Sequence, residues 1–255
     1  MDVQERFRIV KPIIEEARAS VLAVYESGRF LTEEKSDHSP VTAADRASHT
    51  ILAEGLQRLD ADVPVISEES RDQDRVAEAK PFWLVDPLDG TKEFLRRSGE
   101  FTINVALIGA DGCPVWGLID VPCFGRTYFG GQGRAFYYDA TGLHPLMALT
   151  PLRESQGRRV ALSRSHLGSA EEWLRDHQIL VQSTVYAGSA VKFCWVAEGR
   201  VDLYVRLRPT MGWDTAAGQA IVEAVGGQVC HAETGEPLRY RPQAEVNPSF
   251  VASRS

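Results

Sequence analysis

Residues 82–94 read FWLVDPLDGTKEF, an apolar run that ends in two aspartates, Asp86 and Asp89. Such a run is typical of a buried strand. Carboxylates at the end of a buried strand lose favourable solvation unless a positive charge pairs with them. Because Asp89 and Gly90 also form a strong turn signal, the segment alone fits a polar turn as well as half of a metal site.

The metal-site interpretation has a definite geometry. Asp86 is expected to end the strand and Pro87 to stop its hydrogen-bonded ladder, so that the turn aims both carboxylates and the Leu88 carbonyl at one point. Oxygen donors of this kind suit Mg²⁺ or Mn²⁺ rather than zinc. Gly90 lets the backbone approach a ligand, and the amides that follow the turn can bind an anion.

Further acidic residues could join this pair. Glu68 and Glu69 follow a short apolar strand in VISEES, and two strands that both end in acids favour a cation site because like charges repel. Asp214, in GWDTAAGQAIVEAVGG, is an equally good N-cap for the helix that follows it. Asp45 could hold an attacking water together with the Thr91 hydroxyl, and it also fits the first turn of a helix.

The composition sets limits on the function. The 255 residues carry a formal net charge of −7, which argues against a protein that holds a nucleic-acid polymer by electrostatics. The four cysteines are scattered, as expected for reduced thiols. The charged N-terminus lacks the apolar region of a signal peptide, and no apolar run approaches the roughly 20 residues that span a membrane. We therefore expect a cytoplasmic protein and leave peripheral association with the inner membrane open.

The order of elements predicts two halves that share one cleft. Residues 1–150 form an α+β half that carries most of the acids, and residues 151–255 form an α/β half that carries Asp214. The first half is expected to contain helices at 4–26 and 42–59, the second capped by Thr42, followed by an antiparallel meander. Its strands are expected at 63–70, 82–87, 101–109, 114–122, 126–131 and 134–139. The second half is expected to alternate strands at 158–163, 180–188 and 200–207 with helices at 170–177, 189–199 and 214–227.

These motifs together resemble a known family. WLVDPLDGTKEF, with SEES upstream and WDTAAGQAIVEAVGG downstream, resembles the lithium-sensitive, magnesium-dependent phosphatases of the inositol monophosphatase superfamily. KEFLRRSGEFTINVALI, YAGSAVKFCWVAEGRVDLY and RPTMGWDTAAGQA resemble its bacterial 3'(2'),5'-bisphosphate nucleotidase branch. The resemblance implies a layered αβαβα sandwich of the inositol monophosphatase and fructose-1,6-bisphosphatase type.

The resemblance also implies roles for the acids. Two or three Mg²⁺ ions, with Mn²⁺ as a second candidate, would be bound by Glu68, Asp86, the Leu88 carbonyl, Asp89 and Asp214. Asp45 and Thr91 would orient the water, and Glu69 would assist through a metal-bound water. The amides of Gly90 and Thr91 would hold the phosphate that is removed.

Substrate selection is expected in the second half of the chain. The residues that match nucleotide contacts of the branch are His166, Ser189, Lys192 and Arg206. The two cations supply the charge that a second phosphate needs, although each also fits a solvated surface residue, and the histidine fits a loop. The branch more often has a small residue where Arg208 stands, so this arginine is a departure from the pattern.

The resemblance implies hydrolysis of the 3'-phosphate of adenosine 3',5'-bisphosphate, giving AMP and phosphate, as a step linked to sulfate assimilation. The alternative on the same scaffold is an inositol-1-phosphate or fructose-1,6-bisphosphate phosphatase. A rival from another class is a non-catalytic sensor of metal or nucleotide. A sensor would be expected to lose part of the acidic set, and here every member of that set is present.

Overall fold

The computed structural model describes residues 1–28, 30, 32–34, 40–70, 80–150, 157–164, 169–243 and 246–254. Helix α1 spans Val3–Ser27, as predicted, and its N-terminus is capped by Asp2, whose side chain accepts a hydrogen bond from the Gln4 amide. Its buried side chains recur at helical spacing and form one face: Val3, Phe7, Val10, Ile14, Ala17 and Val21. No helix in these ranges is long and apolar enough to cross a membrane.

Helix α2, Ala43–Leu59, follows a short antiparallel pair of strands, β1 (Thr32–Glu34) and β2 (Pro40–Thr42). Thr42 caps α2 as predicted. The apolar spacing of α2 predicts a buried face of Ala47, Ile51, Leu52 and Leu56; Leu52 and Leu56 are buried, whereas Ala47 and Ile51 are only half-buried. Asp45 and Ser48 are buried as well, because this side of α2 faces the segment around Pro87, where the Ser48 hydroxyl donates to the Pro87 carbonyl over 2.8 Å.

A seven-stranded sheet carries the first half of the chain. Its strands lie in chain order: β3 (Val65–Ser67), β4 (Phe82–Asp89), β5 (Thr102–Ile108), β6 (Pro114–Val121), β7 (Arg126–Gly131), β8 (Arg134–Asp139) and β9 (Gly142–Leu146). The predicted antiparallel meander is confirmed from β4 to β8 and continues to β9, which was not predicted; the inclusion of β3 in it was wrong, because β3 pairs with β4 in parallel. Because of the parallel pairing, β3 and β4 both end at the same edge of the sheet. A short helix, α3 (Thr91–Leu95), follows β4, and a 3-10 turn (Pro122–Phe124) follows β6.

Strand β4 differs from the prediction at its end. The expectation that Asp86 would end the strand, with Pro87 stopping the ladder, was wrong, since β4 continues to Asp89 and pairs there with Thr102. The pairing is irregular between Asp86 and Asp89, which accommodates a proline that cannot donate to a ladder.

A five-stranded sheet carries the second half. Its order is β11 (Val181–Ala187), β10 (Arg158–Ser163), β12 (Leu203–Arg206), β14 (Phe250–Arg254) and β13 (Gly227–His231). The helices are α4 (Ser169–Asp176), α5 (Val191–Ala197) and α6 (Gly212–Ala224). Strands β11, β10 and β12 are parallel, and β14 runs antiparallel to both of its neighbours. The elements that were not predicted are strands β1, β2, β9, β13 and β14 and the short helix α3.

Three apolar clusters stack these elements into layers. The first lies between α1, α2 and one face of the seven-stranded sheet, and includes Phe7, Leu52 and Trp116. The second packs the other face of this sheet, through α5 and α6, against the five-stranded sheet. The third packs α4 on the outer face of the five-stranded sheet. The order is therefore helix, sheet, helix, sheet, helix, which confirms the predicted αβαβα sandwich, while the boundary at residue 150 stays a prediction.

Candidate metal and phosphate site

Three carboxylates meet where the two halves of the chain face each other. Asp86 and Asp89 come from the end of β4, and Asp214 comes from the first turn of α6. One oxygen of each lies within 4.8 Å of the others. Asp86 is buried, and the other two are half-buried. The structure thus brings together two aspartates close in sequence with a third that is far from them.

Asp214 takes a different helix position from the one considered from sequence. Met211, not Asp214, is the N-cap of α6, and the Asp214 carboxylate accepts a hydrogen bond from the Met211 amide over 2.8 Å. A hydrogen bond from the N-cap amide to the side chain three residues later is one of the two bonds that define a capping box. One oxygen of Asp214 is thereby held in place beside Asp86 and Asp89.

The pKa values of the three aspartates show that their charges are poorly compensated. Burial raises the pKa of Asp86 well above its usual value, and the Glu68 and Asp89 charges raise it further. Burial, opposed by Lys192, raises the pKa of Asp89 to about 6, and burial with the Asp89 charge raises that of Asp214 to about 7. A bound cation would favour the ionised form of all three.

The donor set fits a hard divalent cation. Its members are all carboxylate oxygens, with no sulfur or imidazole among the described residues of the group. Beside it, the Asn104 amide donates to Asp89 Oδ2 over 3.4 Å, while its own buried Oδ1 has no partner among the described residues. This oxygen is a further buried acceptor on a side chain that contacts Asp89. The residues therefore fit a metal ion at this position.

Glu68 lies beside the three aspartates, because β3 runs parallel to β4, and the charge of Glu69 acts on Asp45. The Glu68 amide donates to the Val85 carbonyl over 3.0 Å, one residue before Asp86. The Glu68 charge raises the pKa values of Asp86, Asp89 and Asp214. Glu68 is outside the group of three whose oxygens converge. Its role as a metal ligand, and that of Glu69 as an assisting residue, stay predictions.

Asp45 and Thr91 are brought together, as the pairing of a base with a hydroxyl requires. The Thr91 hydroxyl donates to Asp45 Oδ1 over 3.4 Å and also lies 3.5 Å from the Leu88 carbonyl. The Thr42 amide and hydroxyl occupy the other oxygen of Asp45, over 2.7 and 2.5 Å. Burial, partly offset by the Thr42 bonds, raises the pKa of Asp45 to about 6. Asp45 thus completes the capping box of α2 with Thr42 and also contacts the Thr91 hydroxyl.

A cavity of about 200 Å³ opens beside the carboxylates. Its wall includes six of the predicted site residues: Asp89, Gly90, Ser189, Lys192, Arg206 and Asp214. Gly90 has a φ of +91°, and a side chain there would press against Ser189 and the Glu100 carbonyl. Acids and cations from both halves of the chain therefore line one cavity.

Lys192 is a buried cation in this wall, only 2% exposed. Its ammonium donates to the carbonyls of Ala187 and Ser189 over 3.1 and 2.7 Å and lies 4.9 Å from the centre of the Tyr204 ring. Burial lowers the pKa of Lys192 to about 8, although the Asp89 charge opposes this shift. The alternative of a solvated surface lysine was therefore wrong.

Arg206 is half-buried at the end of β12, where its Nη1 donates to the Ser163 hydroxyl over 2.9 Å. Its Nε is buried without a partner among the described residues. Arg208, two residues later, is exposed and lines a separate small cavity. His166 lies outside the described residues.

Several residues of this region were missed from sequence. Thr102 and Asn104 both approach Asp89 Oδ2 over 3.4 Å, and their alternate spacing on β5, opposite the acidic end of β4, was a usable signal. No sequence pattern indicates Ser163, Arg164 or Glu100, because only the folding of the chain brings these residues close to the site.

A layered fold with converging carboxylates beside a cation-lined cavity defines the class of metal-dependent phosphatases. The family model "Inositol monophosphatase family" matches residues 2–253. The chain belongs to this family, and the resemblance inferred from the motifs is confirmed.

Named relatives and solved structures agree with this assignment. The chain is 41% identical over 238 residues to the 3'(2'),5'-bisphosphate nucleotidase CysQ of Escherichia coli strain K12, covering 92% of this chain and 94% of the relative. The crystal structure of CysQ from Bacteroides thetaiotaomicron has a TM-score of 0.74 at 34% identity, covering 94% and 93% of the two chains. The SuhB structure from Bartonella henselae, with a TM-score of 0.80 at 24% identity, covers 98% and 94% and supports the fold alone.

Proposed function

We propose that the chain is a Mg²⁺-dependent 3'(2'),5'-bisphosphate nucleotidase that hydrolyses the 3'-phosphate of adenosine 3',5'-bisphosphate to give AMP and phosphate. The observation that carries the proposal is the pairing of opposite charges in one cavity. Asp89 and Asp214 line it, and so do Lys192 and Arg206. A substrate with one phosphate at the metal ion and a second beside the cations would use both kinds of charge. The CysQ relatives carry the name of this activity.

The acids would hold the cation and the phosphate that is removed. Asp86, Asp89 and Asp214 supply converging oxygens, and Glu68 and the Leu88 carbonyl are the further ligands we propose. When bound, the ion would withdraw electron density from the phosphoryl group and stabilise the departing ribose oxygen. The amides of Gly90 and Thr91, at the start of α3, have no carbonyl partner earlier in that helix and would donate to the phosphate.

Asp45 and Thr91 would prepare the attacking water. The Thr91 hydroxyl already contacts Asp45 Oδ1, so that a water bound to the hydroxyl could pass its proton to this carboxylate. The pKa of Asp45, raised to about 6 by burial, suits a group that accepts a proton near neutral pH. Glu69 would assist from its place beside Asp45. No covalent intermediate is needed, since water attacks phosphorus directly.

The second phosphate would select the substrate in the half of the cavity formed by β12 and α5. Arg206 presents a guanidinium with an unpartnered Nε, and Lys192 presents a buried ammonium. Ser189 lies between these cations and Gly90 in the cavity wall. His166 is the fourth contact we propose, on the strength of the sequence motif alone.

A phosphate-release panel tests the proposal. Adenosine 3',5'-bisphosphate, inositol 1-phosphate and fructose 1,6-bisphosphate are compared with Mg²⁺, with Mn²⁺, with chelator and with added Li⁺. We expect the nucleotide to have the highest kcat/KM, chelation to abolish release and Li⁺ to inhibit it. A clear preference for inositol 1-phosphate or fructose 1,6-bisphosphate would assign the alternative activity. A chain that binds the nucleotide without releasing phosphate would be the sensor.

A further inference from the structure

The turn formed by residues 187–190 joins β11 to α5 and forms part of the cavity wall. Within it, Ser189 has a φ of +44°, in the left-handed region that a residue with a side chain rarely occupies. A conformation of this kind persists only where the surrounding structure holds it. The contacts that hold the turn therefore decide how Ser189 and the neighbouring Lys192 are presented to a ligand.

Three charged side chains hold the backbone of this turn. Asp89 Oδ2 accepts from the Ala190 amide over 2.6 Å, and the Lys192 ammonium donates to two carbonyls of the turn. The third is Glu100, whose Oε2 accepts from the Gly188 amide over 3.0 Å. Asp89 and Lys192 already have metal and phosphate roles in the proposed function. Glu100 has none, which makes its contribution separable.

Glu100 is itself oriented from the opposite half of the chain. It lies between α3 and β5, and Arg164, at the end of β10, donates from Nη2 to both of its oxygens over 2.7 and 2.9 Å. The same nitrogen donates to the Tyr186 carbonyl over 2.9 Å. The Glu100 side chain is 16% exposed, whereas the Arg164 side chain is 50% exposed, so it is the carboxylate of the pair that is largely shielded from solvent. A carboxylate held by two such bonds keeps the Gly188 amide in one place.

The main chain of Glu100 lies against the phosphate-binding end of the cavity. Its carbonyl oxygen would be 3.3 Å from a Cβ atom at Gly90. Gly188 in turn has no room for a side chain, because the Glu93 side chain occupies that space. Glu100 thus touches the proposed site for the reacting phosphate through its backbone and the turn for the second phosphate through its side chain.

We propose that Glu100 is a positioning residue for substrate selection: together with Arg164 it fixes the 187–190 turn so that Ser189 and Lys192 meet the second phosphate. The inference rests on the proposed nucleotidase function. It assigns Glu100 an effect on the binding of a bisphosphorylated substrate and not on the chemical step, since Asp89 keeps its contacts with Thr102 and Asn104 when Glu100 is changed.

The test compares adenosine 3',5'-bisphosphate with adenosine 3'-monophosphate, which lacks the second phosphate, in the wild type and in Glu100→Ala and Glu100→Gln. For Glu100→Ala we expect the KM for the bisphosphate to rise about tenfold, with kcat within about twofold and the KM for the monophosphate within about twofold. Glu100→Gln should lie between Glu100→Ala and the wild type, because an amide oxygen still accepts from Gly188.

Glu198→Gln is the matched control. Glu198 accepts from Arg126 over 3.0 Å and its side chain is 20% exposed, so the substitution disrupts a comparable ion pair outside the cavity wall. We expect both KM values of this variant to remain within about twofold of the wild type, whatever its loss of thermal stability. If Glu100→Ala does not fold, Glu100→Gln and Arg164→Lys allow the same comparison of the two substrates.

Failure of the inference differs from failure of the proposed function. A wild type that does not hydrolyse the bisphosphate would refute the function. A wild type that does hydrolyse it, with Glu100 variants whose KM values are unchanged or rise equally for both substrates, would overturn the positioning role alone. A fall in kcat for both substrates with KM unchanged would overturn it as well.

Discussion

Two groups of buried aspartate in this protein are compensated in opposite ways. Asp202, just before β12, is 3% exposed and accepts hydrogen bonds from the side chains of Arg159, over 2.6 and 2.9 Å, and Arg254, over 2.9 Å. Burial alone would raise its pKa, but the Arg159 and Arg254 contacts outweigh it, and the pKa of Asp202 is lowered. At the cavity, the pKa values of Asp86 and Asp214 are raised.

The difference separates a structural carboxylate from a binding one. At Asp202 the chain supplies its own cations, which tie β10, β12 and β14 together and fully compensate the negative charge of the carboxylate. At Asp86 and Asp214 the described residues bring further acids, and the nearest buried cation, Lys192, acts chiefly on Asp89. Converging carboxylates without matching cations lower the stability of the folded state unless a metal ion binds. A carboxylate cluster that the chain leaves uncompensated thus indicates where a cation binds.

The largest effect is expected from Asp86→Asn. The change removes one of three converging carboxylates while it keeps the shape of the side chain, so metal binding weakens and phosphate release should fall by roughly 10³-fold. Steady-state kinetics and calorimetric titration with Mg²⁺ measure the two losses. Thermal stability in chelator should not fall, because a repelling charge is gone. Phosphate release at the wild-type rate would show that the aspartates do not bind a catalytic metal.

The counterpart is Asp202→Asn, with its main effect on stability. It leaves the Arg159 and Arg254 guanidiniums without their anion, and the free energy of unfolding should fall by about 3 kcal/mol. Urea unfolding measures the loss, and kcat with saturating Mg²⁺ should stay within about twofold of the wild type at a temperature where the variant is folded. If folded Asp202→Asn no longer required Mg²⁺ for phosphate release or no longer responded to it, the distinction between a structural Asp202 and metal-binding Asp86 and Asp214 would be wrong.

The dependence of stability on pH should also differ between the cavity aspartates and Asp202. The pKa values of Asp45 and Asp89 are about 6 and that of Asp214 about 7, above the unfolded values near 4. At pH values between the unfolded and the folded pKa values of these aspartates, the folded, metal-free protein binds more protons than the unfolded chain. The free energy of unfolding of the metal-free protein therefore falls as pH rises. The pKa of His49 is lowered, so this residue makes stability rise with pH, but it is a single group opposed by three aspartates.

Urea unfolding at pH 5 and pH 7 in chelator measures this slope. We expect a loss on the order of 2 kcal/mol between the two values, and a much smaller loss with saturating Mg²⁺, which keeps the carboxylates ionised in the folded state. Asp202, with its lowered pKa, contributes only at lower pH. A metal-free protein whose stability is constant or rises over this range would contradict the uncompensated cluster.

Much of the fold could be predicted because its signals are local. The apolar spacing of α1 and the turn residues between β4 and β8 depend on neighbouring positions in the chain. β13 and β14 were missed, since their pairing with each other depends on packing against the rest of the sheet. The face of α2 was predicted only in part: Leu52 and Leu56 are buried as expected, but the buried Asp45 and Ser48 could not be found from the spacing of apolar residues.

The candidate site divides in the same way. Asp86, Asp89 and Asp214 could be predicted because an acid at the end of an apolar run is conspicuous. Glu100 and Arg164 could not, because they are 64 positions apart and each alone reads as a surface charge. Only the folded arrangement places a carboxylate from the first half of the chain on the substrate turn of the second.

The smallest effect is expected on the cationic side of the cavity, from Arg206→Ala and its neighbour Arg208→Ala. Arg206 lines the cavity beside Ser163, so its loss should raise the KM for adenosine 3',5'-bisphosphate about tenfold, or about 1.4 kcal/mol, with kcat little changed. Arg208 is exposed outside that wall, and its loss should change KM by less than about twofold. Initial-rate kinetics of both variants, with Arg206→Lys as a partial rescue, measure the difference. An equal rise in KM for Arg206→Ala and Arg208→Ala would contradict a defined binding position for the second phosphate. It would mean that the phosphate is attracted by the overall positive charge, because a defined position would distinguish two arginines that are two residues apart.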